Sequence, residues 1–161
     1  MRHANHRHIL GATKSHRLAL MSNLAIALFR HGRIQTTLAK AKALRPFAEK
    51  IVTLAKKAHL AQDPALKIHY RRLAMKEVRD KTVVTHLFNN LAAEFVDRPG
   101  GYTRIYKLGR RTGDAAEIAI IEFVKKDDEK YLTRSEFEAR QNALVAADSS
   151  ATNDTSDTEA K

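Results

Sequence analysis

Residues 33–58 read RIQTTLAKAKALRPFAEKIVTLAKKA and join the two patterns that decide the fold. The first five, 33–37, are rich in β-branched side chains and predict a brief strand. Apolar residues then recur at three- and four-residue steps, which predicts a helix with one buried face. That face carries Leu44, Phe47, Ile51, Leu54, Ala55 and Ala58. Pro46 lies inside this pattern, so either the helix kinks there or Pro46 begins it and 38–45 form a separate turn.

A second helix is predicted upstream of this stretch. Ser15 is a plausible N-cap, and Gly32 supplies the left-handed residue that ends many helices. The apolar face between them carries Leu18, Met21, Ala25, Leu28 and Phe29.

Two further helices are predicted downstream. Asp63-Pro64 combines an N-cap with a proline at the first helical position, and Asp80 is a second cap. The expected core face of the first of these helices is Leu66, Tyr70, Leu73 and Ala74. The second has the cleanest amphipathic pattern of the chain, with Val84, Leu87, Phe88, Leu91 and Phe95.

The helical series stops at Pro99-Gly100-Gly101. Residues 102–108 and 118–124 then predict two strands joined by a glycine- and arginine-rich loop. The order is therefore α-β-α-α-α-β-β. We expect an α+β fold: a two-layer domain in which helices cover one side of a small mixed sheet.

Three regions are expected along the chain. Residues 1–14 lack an apolar period and predict an extended basic arm, and residues 15–126 predict a globular domain. Residues 127–161 form an acidic tail. A capping-box spacing at 133–136 indicates a short helix over 134–147, and the composition of 148–161 predicts disorder.

Charge is distributed unevenly between these regions. The first acidic residue is Glu49, whereas residues 1–48 contain nine Lys/Arg and five His. Residues 1–126 carry a net charge of +16 and residues 127–161 carry −5, within a total of +11. Cations without internal partners need an external polyanion, and nucleic acid is the commonest one in a cell.

Composition argues against several other classes of protein. Apolar residues make up 43% of the chain, enough for a hydrophobic core. The absence of cysteine rules out disulfides, thiolate metal sites and a cysteine nucleophile, and fits a reducing cytoplasm. Apolar runs are far shorter than a membrane span, and the basic start lacks the apolar run of a signal peptide, so we expect neither a membrane protein nor secretion.

Motifs for metal binding and catalysis are weak. His3, His6 and His8 lie in the arm, which offers no rigid scaffold for a metal, so a cationic arm is the better interpretation. Residues 11–15 lack the glycine that a phosphate-binding loop places before its lysine. Ser15 and His16 are adjacent, and adjacent side chains on a helix point apart. We expect no enzyme, metal or cofactor.

Clusters of basic and hydroxyl side chains are the candidate nucleic-acid contacts. The arm and the first helix start supply Arg7, Lys14 and Arg17. The strand and helix that open at residue 33 supply Arg33, Thr36, Lys40, Lys42 and Arg45. The turn and hairpin supply Arg98, Tyr102, Arg104, Arg110 and Arg111.

Aromatic residues in the predicted hairpin leave two interpretations open. Alternation places Tyr102, Arg104 and Tyr106 on one strand face. If that face is exposed, its rings can stack on bases or pack against sugars. If it is buried, the tyrosines belong to the core of the sheet.

Several long motifs of this chain resemble a known family. They are Met1-Arg2-His3, Ser15-His16-Arg17, the run from Ile34 to Lys42, Leu44-Arg45-Pro46, the run from Arg98 to Ile105, Gly113-Asp114-Ala115 and Ile121-Glu122. In this order, over about residues 1–125, they resemble the bacterial large-subunit ribosomal protein seventeen family.

The resemblance implies a structural protein of the large ribosomal subunit, in the cytoplasm, bound to ribosomal RNA on the solvent side near the exit tunnel. It implies an α/β two-layer fold, neighbouring ribosomal proteins as partners, and no cofactor, membrane or small-molecule substrate. The positions that match as RNA contacts are Arg2, His3, His16, Arg17, Thr36, Lys40, Lys42, Arg45, Arg104 and Arg110. The acidic tail departs from the family pattern.

A DNA-architectural protein is the alternative interpretation. Such proteins are also basic, but they commonly form dimers and carry an apolar wedge for the minor groove. The sequence shows no obvious exposed wedge. Co-sedimentation with large subunits, as opposed to recovery with chromosomal DNA, distinguishes the two.

Overall fold

A computed structural model describes residues 8–124 and Ala139. The elements are α1 (Lys14–His31), β1 (Arg33–Thr37), α2 (Leu38–Leu60), α3 (Pro64–Glu77), α4 (Lys81–His86), a π-helical turn (Leu87–Leu91), α5 (Ala92–Glu94), β2 (Thr103–Arg110) and β3 (Glu117–Phe123). The tail, including the helix predicted over 134–147, and the first seven residues of the arm lie outside the described residues.

Helix α1 ends where the sequence predicts and begins slightly earlier. Gly32 adopts a left-handed φ of 73°, and its N–H donates to the Leu28 carbonyl at 2.8 Å. The N-cap is Thr13, so the prediction of Ser15 is wrong. Leu18, expected in the core, is 47% exposed because it borders a surface groove beside α2. The buried face consists of Met21, Ser22, Ala25, Leu28 and Phe29.

Helix α2 is the centre of the domain and contacts α1, α3 and the sheet. Pro46 lies within one helix, Leu38–Leu60, so a separate turn over 38–45 is wrong. Pro46 is exposed, on the side of the helix opposite the core. The buried stripe consists of Leu38, Ala41, Leu44, Ala48, Ile51, Val52, Ala55 and Ala58, at steps of three and four residues.

Aspartate caps start both of the following helices, as predicted. The Asp63 carboxylate accepts the Ala65 N–H at 2.8 Å, and the Asp80 carboxylate accepts the Thr82 N–H at 2.9 Å. Hydrogen bonds from Thr82, first from its hydroxyl, and from the Val83 N–H lower the pKa of Asp80. The Asp80 cap therefore favours the charged carboxylate.

Helix α3 buries much less than its pattern predicts. Ala74 is its buried residue, and Tyr70 is half-buried. Leu66 and Leu73, expected in the core, are 45% and 38% exposed. The prediction was wrong because α3 packs on α2 along a narrow stripe centred on a small residue, which leaves the flanking leucines in solvent.

The next helix is interrupted by a π-helical turn between α4 and α5. Its buried side chains nevertheless follow the predicted amphipathic face. Val84, Leu87, Phe88 and Phe95 are buried, and Leu91 is half-buried.

The sheet has the order β1-β3-β2, and both pairs of strands are antiparallel. The α+β class and the two-layer arrangement are confirmed, but the prediction of a mixed sheet is wrong. The hairpin makes β2 antiparallel to β3, and β1 pairs antiparallel with the other edge of β3. Because β3 is central, β1 and β2 never pair with each other.

The two faces of the sheet differ in burial. The inner face turns Ala119, Ile121 and Phe123 toward the helices, and the Phe123 ring stacks on Phe29 with centroids 5.8 Å apart. The opposite side, here called the open sheet face, is defined by Arg33, Gln35, Arg104, Tyr106, Ile120 and Glu122. These six residues are half-buried or exposed.

Candidate nucleic-acid interface

The region before α1 is attached to the domain. The Ala12 N–H donates to the Ile9 carbonyl at 3.3 Å, and Leu10 packs against the core. The Arg17 guanidinium donates to the carbonyls of Ile9 and Ala12 at 3.5 and 3.4 Å. Residues 9–12, assigned to the arm by sequence, therefore form a turn that Arg17 holds in place.

The other RNA contacts predicted near this turn have exposed side chains or lie outside the described residues. Lys14 and His16 are exposed. Lys14 and Arg17 border a groove of about 360 Å³ between α1 and α2, beside apolar Leu18 and Phe47. Arg2, His3 and Arg7 lie outside the described residues.

A cross-strand row of charges crosses the open sheet face. Arg33, Glu122 and Arg104 occupy paired positions on β1, β3 and β2. The Arg104 Nε donates to Glu122 Oε1 at 2.7 Å, and its guanidinium carbon lies 5.2 Å from the centroid of the Tyr106 ring. Two cations thus flank one carboxylate, and this row has a net positive charge.

The two candidate tyrosines occupy opposite sides of the sheet. The Tyr102 ring is 4% exposed and meets Phe95 edge to face at 5.4 Å, so of the two interpretations left open it belongs to the core, and its predicted contact with RNA cannot be a stacked base. Tyr106 is 46% exposed on the open sheet face. Tyr102 differs because it precedes β2 and follows Gly101, whose φ of +64° turns the chain. The predicted alternation therefore begins only at Thr103.

Arg98 takes part in the structure of the turn that precedes β2. Its Nε donates to the carbonyls of Gly100 and Gly101 at 3.0 and 3.1 Å. Its own carbonyl accepts a hydrogen bond from Lys56 Nζ at 2.5 Å. The predicted RNA contact therefore coexists with a role in fixing the turn.

Four predicted residues from distant parts of the sequence meet in one groove of about 610 Å³. They are Thr36, Lys40, Arg110 and Arg111. This hairpin groove lies between the start of α2 and the tip of the β2–β3 hairpin, and no acidic residue lines it. Its lining comprises Gln35, Thr36, Thr37, Lys40, Leu108, Gly109, Arg110, Arg111, Thr112 and Ile118.

One cation of the hairpin groove has an acidic partner just outside it. Arg111 donates to Asp114 through Nε at 3.0 Å and Nη2 at 2.5 Å. These hydrogen bonds lower the pKa of Asp114 to about 2 and raise the pKa of Arg111. Lys40 is half-buried and Arg110 is exposed. No ion pair within the described residues engages either of them.

Lys42 and Arg45 lie on α2 but do not line the hairpin groove. Lys42 is exposed. Arg45 Nε lies 3.7 Å from Glu49 Oε1. The Glu49 carboxylate in turn accepts the hydroxyl and the N–H of Thr103 at 2.9 and 3.3 Å. Glu49, the first acid in the sequence, thus connects α2 to the start of β2.

Sequence reasoning missed part of the hairpin groove and a second basic surface. Gln35 lies two residues from Arg33 on the same strand face, so strand alternation could have identified it. On α3, Lys67 and Arg71 line a groove of about 590 Å³ with Ile68 and Phe88. The sequence pattern predicts a larger buried face for α3 than the structure has, so this exposed basic surface was not predicted.

The described residues include neither a group of metal-ligating side chains nor a helix that could span a membrane. Residues 8–124 contain no group of three or more His, Asp or Glu side chains placed to hold a metal ion. Within the same part of the chain, no helix has the length and apolarity needed to cross a membrane.

Comparison with known proteins gives a consistent result. The model of the family described as ribosomal protein L17 matches residues 20–124. The large ribosomal subunit protein bL17 of Opitutus terrae is 61% identical over 132 residues, which cover 81% of this chain and 77% of that protein. The protein of the same name from Neorickettsia sennetsu is 48% identical over 124 residues, 77% of this chain and 100% of its own length.

Proposed function

The chain belongs to the ribosomal protein L17 family, and from this premise we propose that it binds large-subunit ribosomal RNA through its basic surfaces and helps the subunit to assemble. Proteins of this family are structural constituents of the ribosome and are not enzymes. Bacterial ribosomes are cytoplasmic, so the chain acts in the cytoplasm. Neighbouring large-subunit proteins are its other proposed partners.

The hairpin groove is the observation that carries this proposal. Cations and hydroxyls from two distant segments converge there, and no carboxylate lines it. Lysine, arginine and threonine are the side chains that contact phosphate and sugar most often. A protein that bound a neutral or cationic partner here would place acidic or apolar side chains in the groove.

Release of counterions from RNA would supply most of the affinity. Six to ten phosphate contacts predict a loss of affinity on the order of a thousandfold or more between low and moderate salt. The basic arm, with Arg2, His3 and Arg7, would add phosphate contacts to folded RNA. Placement near the exit tunnel, inferred from the resemblance, is a further part of this proposal.

Sedimentation of a lysate at physiological salt tests the proposal against the DNA-architectural alternative. We expect stoichiometric recovery with large subunits. Recovery with chromosomal DNA would contradict the proposal.

A charge-reversal pair tests the hairpin groove itself. Lys40→Glu with Arg110→Glu should reduce incorporation into large subunits and affinity for protein-free large-subunit RNA. The matched control is Lys57→Glu with Lys81→Glu, two exposed cations outside the groove. Equal loss in both pairs would show that only net charge matters.

A further inference from the structure

We infer that the open sheet face and the hairpin groove together bind an unpaired segment of RNA, with one base stacked on Tyr106 and its adjoining phosphate between Lys40 and Arg110. This inference rests on the proposed function and adds the form of RNA that the site recognises.

Tyr106 presents an accessible ring at an ordered position. It lies inside β2 and pairs with Ile120 of β3. Its 46% exposure contrasts with the 4% exposure of Tyr102. Aromatic rings held on a sheet are common platforms for unstacked RNA bases. Because the strand fixes the backbone of Tyr106, little conformational freedom would be lost on stacking.

Arg104 and Glu122 orient this ring. The Arg104 guanidinium lies 5.2 Å from the ring centroid and is itself anchored to Glu122 at 2.7 Å. A cation over an aromatic ring is attracted to its π face. The carboxylate therefore fixes the cation, and the cation restricts the ring, so the platform is organised before RNA arrives.

The register places the hairpin groove directly beside Tyr106. Ile120 pairs with Tyr106 on one side and with Gln35 on the other, and Gln35 lines the groove. The next row on the same face is Thr37 with Ile118 and Gly109, all of which also line the groove. Successive rows on one face are about 7 Å apart, so the groove begins within the reach of one nucleotide from the Tyr106 ring. Arg110 follows Gly109 by one residue, and Lys40 follows Thr37 by three.

The chemistry of the groove favours the RNA backbone over a protein segment. Thr36, Thr37 and Thr112 can bond phosphate oxygens or a 2′-hydroxyl, while Lys40 and Arg110 supply charge. The nearest carboxylate along the ladder is Glu117, the strand partner of Arg110, and it does not line the groove. A duplex would not fit the same site, because its bases are already stacked on both sides.

The test separates stacking from phosphate contact. The probes are a short single-stranded RNA that contains 2-aminopurine, the same sequence annealed to its complement, and protein-free large-subunit RNA. We expect wild-type protein to quench the single strand and to bind it more tightly than the duplex. Tyr106→Phe should preserve the quenching, because it keeps the ring.

Two substitutions should have different signatures. Tyr106→Leu should abolish the quenching and weaken binding about tenfold at every salt concentration. Arg110→Gln should keep the quenching but reduce the slope of log affinity against log salt by about one. Leu60→Ala, which shortens an exposed apolar side chain at the end of α2 and outside the grooves described above, is the control and should change neither. Circular dichroism confirms folding of each variant.

Two outcomes would overturn the inference and leave the proposed function intact. They are equal RNA binding by Tyr106→Leu and wild type, and equal affinity for duplex and single strand. If Tyr106→Leu bound RNA as wild type does but failed to join the subunit, the face would be assigned to a protein neighbour. If wild-type protein does not bind large-subunit RNA at all, the proposed function fails as well.

Discussion

The inner and open faces of the same three strands perform different tasks. Ile121 and Phe123 on the inner face are buried against the helices, whereas Glu122 between them pairs with Arg104 on the open face. Neighbouring residues in the sequence thus belong to the core and to the proposed RNA interface in turn. Strand alternation thus places core side chains and the side chains of the proposed RNA interface in one short segment.

Because the two faces differ in burial, substitutions on them should have different effects. Changes on the inner face should reduce the free energy of unfolding and affect RNA binding only through folding. Changes on the open face should alter RNA binding in a fully folded protein. The following predictions test that separation, beginning with the largest effect.

Phe29→Ala should have the largest effect on stability. The Phe29 ring is 2% exposed and stacks on Phe123, so truncation leaves a cavity between α1 and the sheet. We expect a loss of about 3–5 kcal/mol in the free energy of unfolding, measured by urea denaturation. Tyr106→Leu on the open face should change it by less than about 0.5 kcal/mol. Similar losses for both variants would contradict the expectation that the inner face contributes more to stability than the open face.

Glu49→Ala should have the next largest effect. Its carboxylate accepts two hydrogen bonds from Thr103, which is 4% exposed, so the substitution leaves buried polar groups without this partner. We expect a loss of about 1–3 kcal/mol in thermal or urea unfolding.

The control for this effect is Arg45→Ala. It removes only the longer Arg45–Glu49 contact of 3.7 Å, whose arginine is largely exposed, and should cost about 0–1 kcal/mol. If Arg45→Ala reduced the free energy of unfolding as much as Glu49→Ala, the ion pair, and not the hydrogen bonds to Thr103, would explain the contribution of Glu49 to stability.

Glu122→Gln tests the open face separately from the core, because it changes the charge of the open face with little effect on folding. We expect a stability change of about 1 kcal/mol or less. Glutamine keeps a side-chain oxygen that can accept the Arg104 hydrogen bond, so the Tyr106 ring stays oriented. Loss of the negative charge beside Arg33 and Arg104 should therefore strengthen RNA binding severalfold and steepen its salt dependence. Glu94→Gln, on α5 and outside the grooves described above, should leave RNA affinity nearly unchanged. Weaker binding by Glu122→Gln would mean that orienting Arg104 matters more than the removed charge.

Acid titration should give the smallest effect. The folded pKa of Asp114 is about 2, below its ordinary value of 3.8, because Arg111 bonds the carboxylate. The stability contributed by this pair is therefore fully present above about pH 4 and is lost as the pH falls through about 2. Carbon-13 NMR of the Asp114 carboxyl measures the titration. Arg111→Gln should move the pKa upward, and an unchanged value would exclude this cause.

Local signals in the sequence predicted most boundaries of the elements. Gly32 ends α1, and Asp63 and Asp80 cap the helices that follow, because caps depend on hydrogen bonds between near neighbours. The core face of α3 could not be read in the same way. Leu66 and Leu73 have helical spacing, but burial depends on how much of that face a neighbour covers.

Local patterns of amino acids are enough to predict the α+β class, the order of the elements and the concentration of positive charge before the tail. Tertiary contacts establish that Tyr106 is exposed while Tyr102 is buried, and that Thr36 and Lys40 meet Arg110 in one groove. Apolar periodicity and capping patterns depend on residues that are only a few positions apart in the chain. Strand register instead brings together residues separated by about seventy positions in the chain, and a single turn at Gly101 changes which side of the sheet a neighbouring ring occupies.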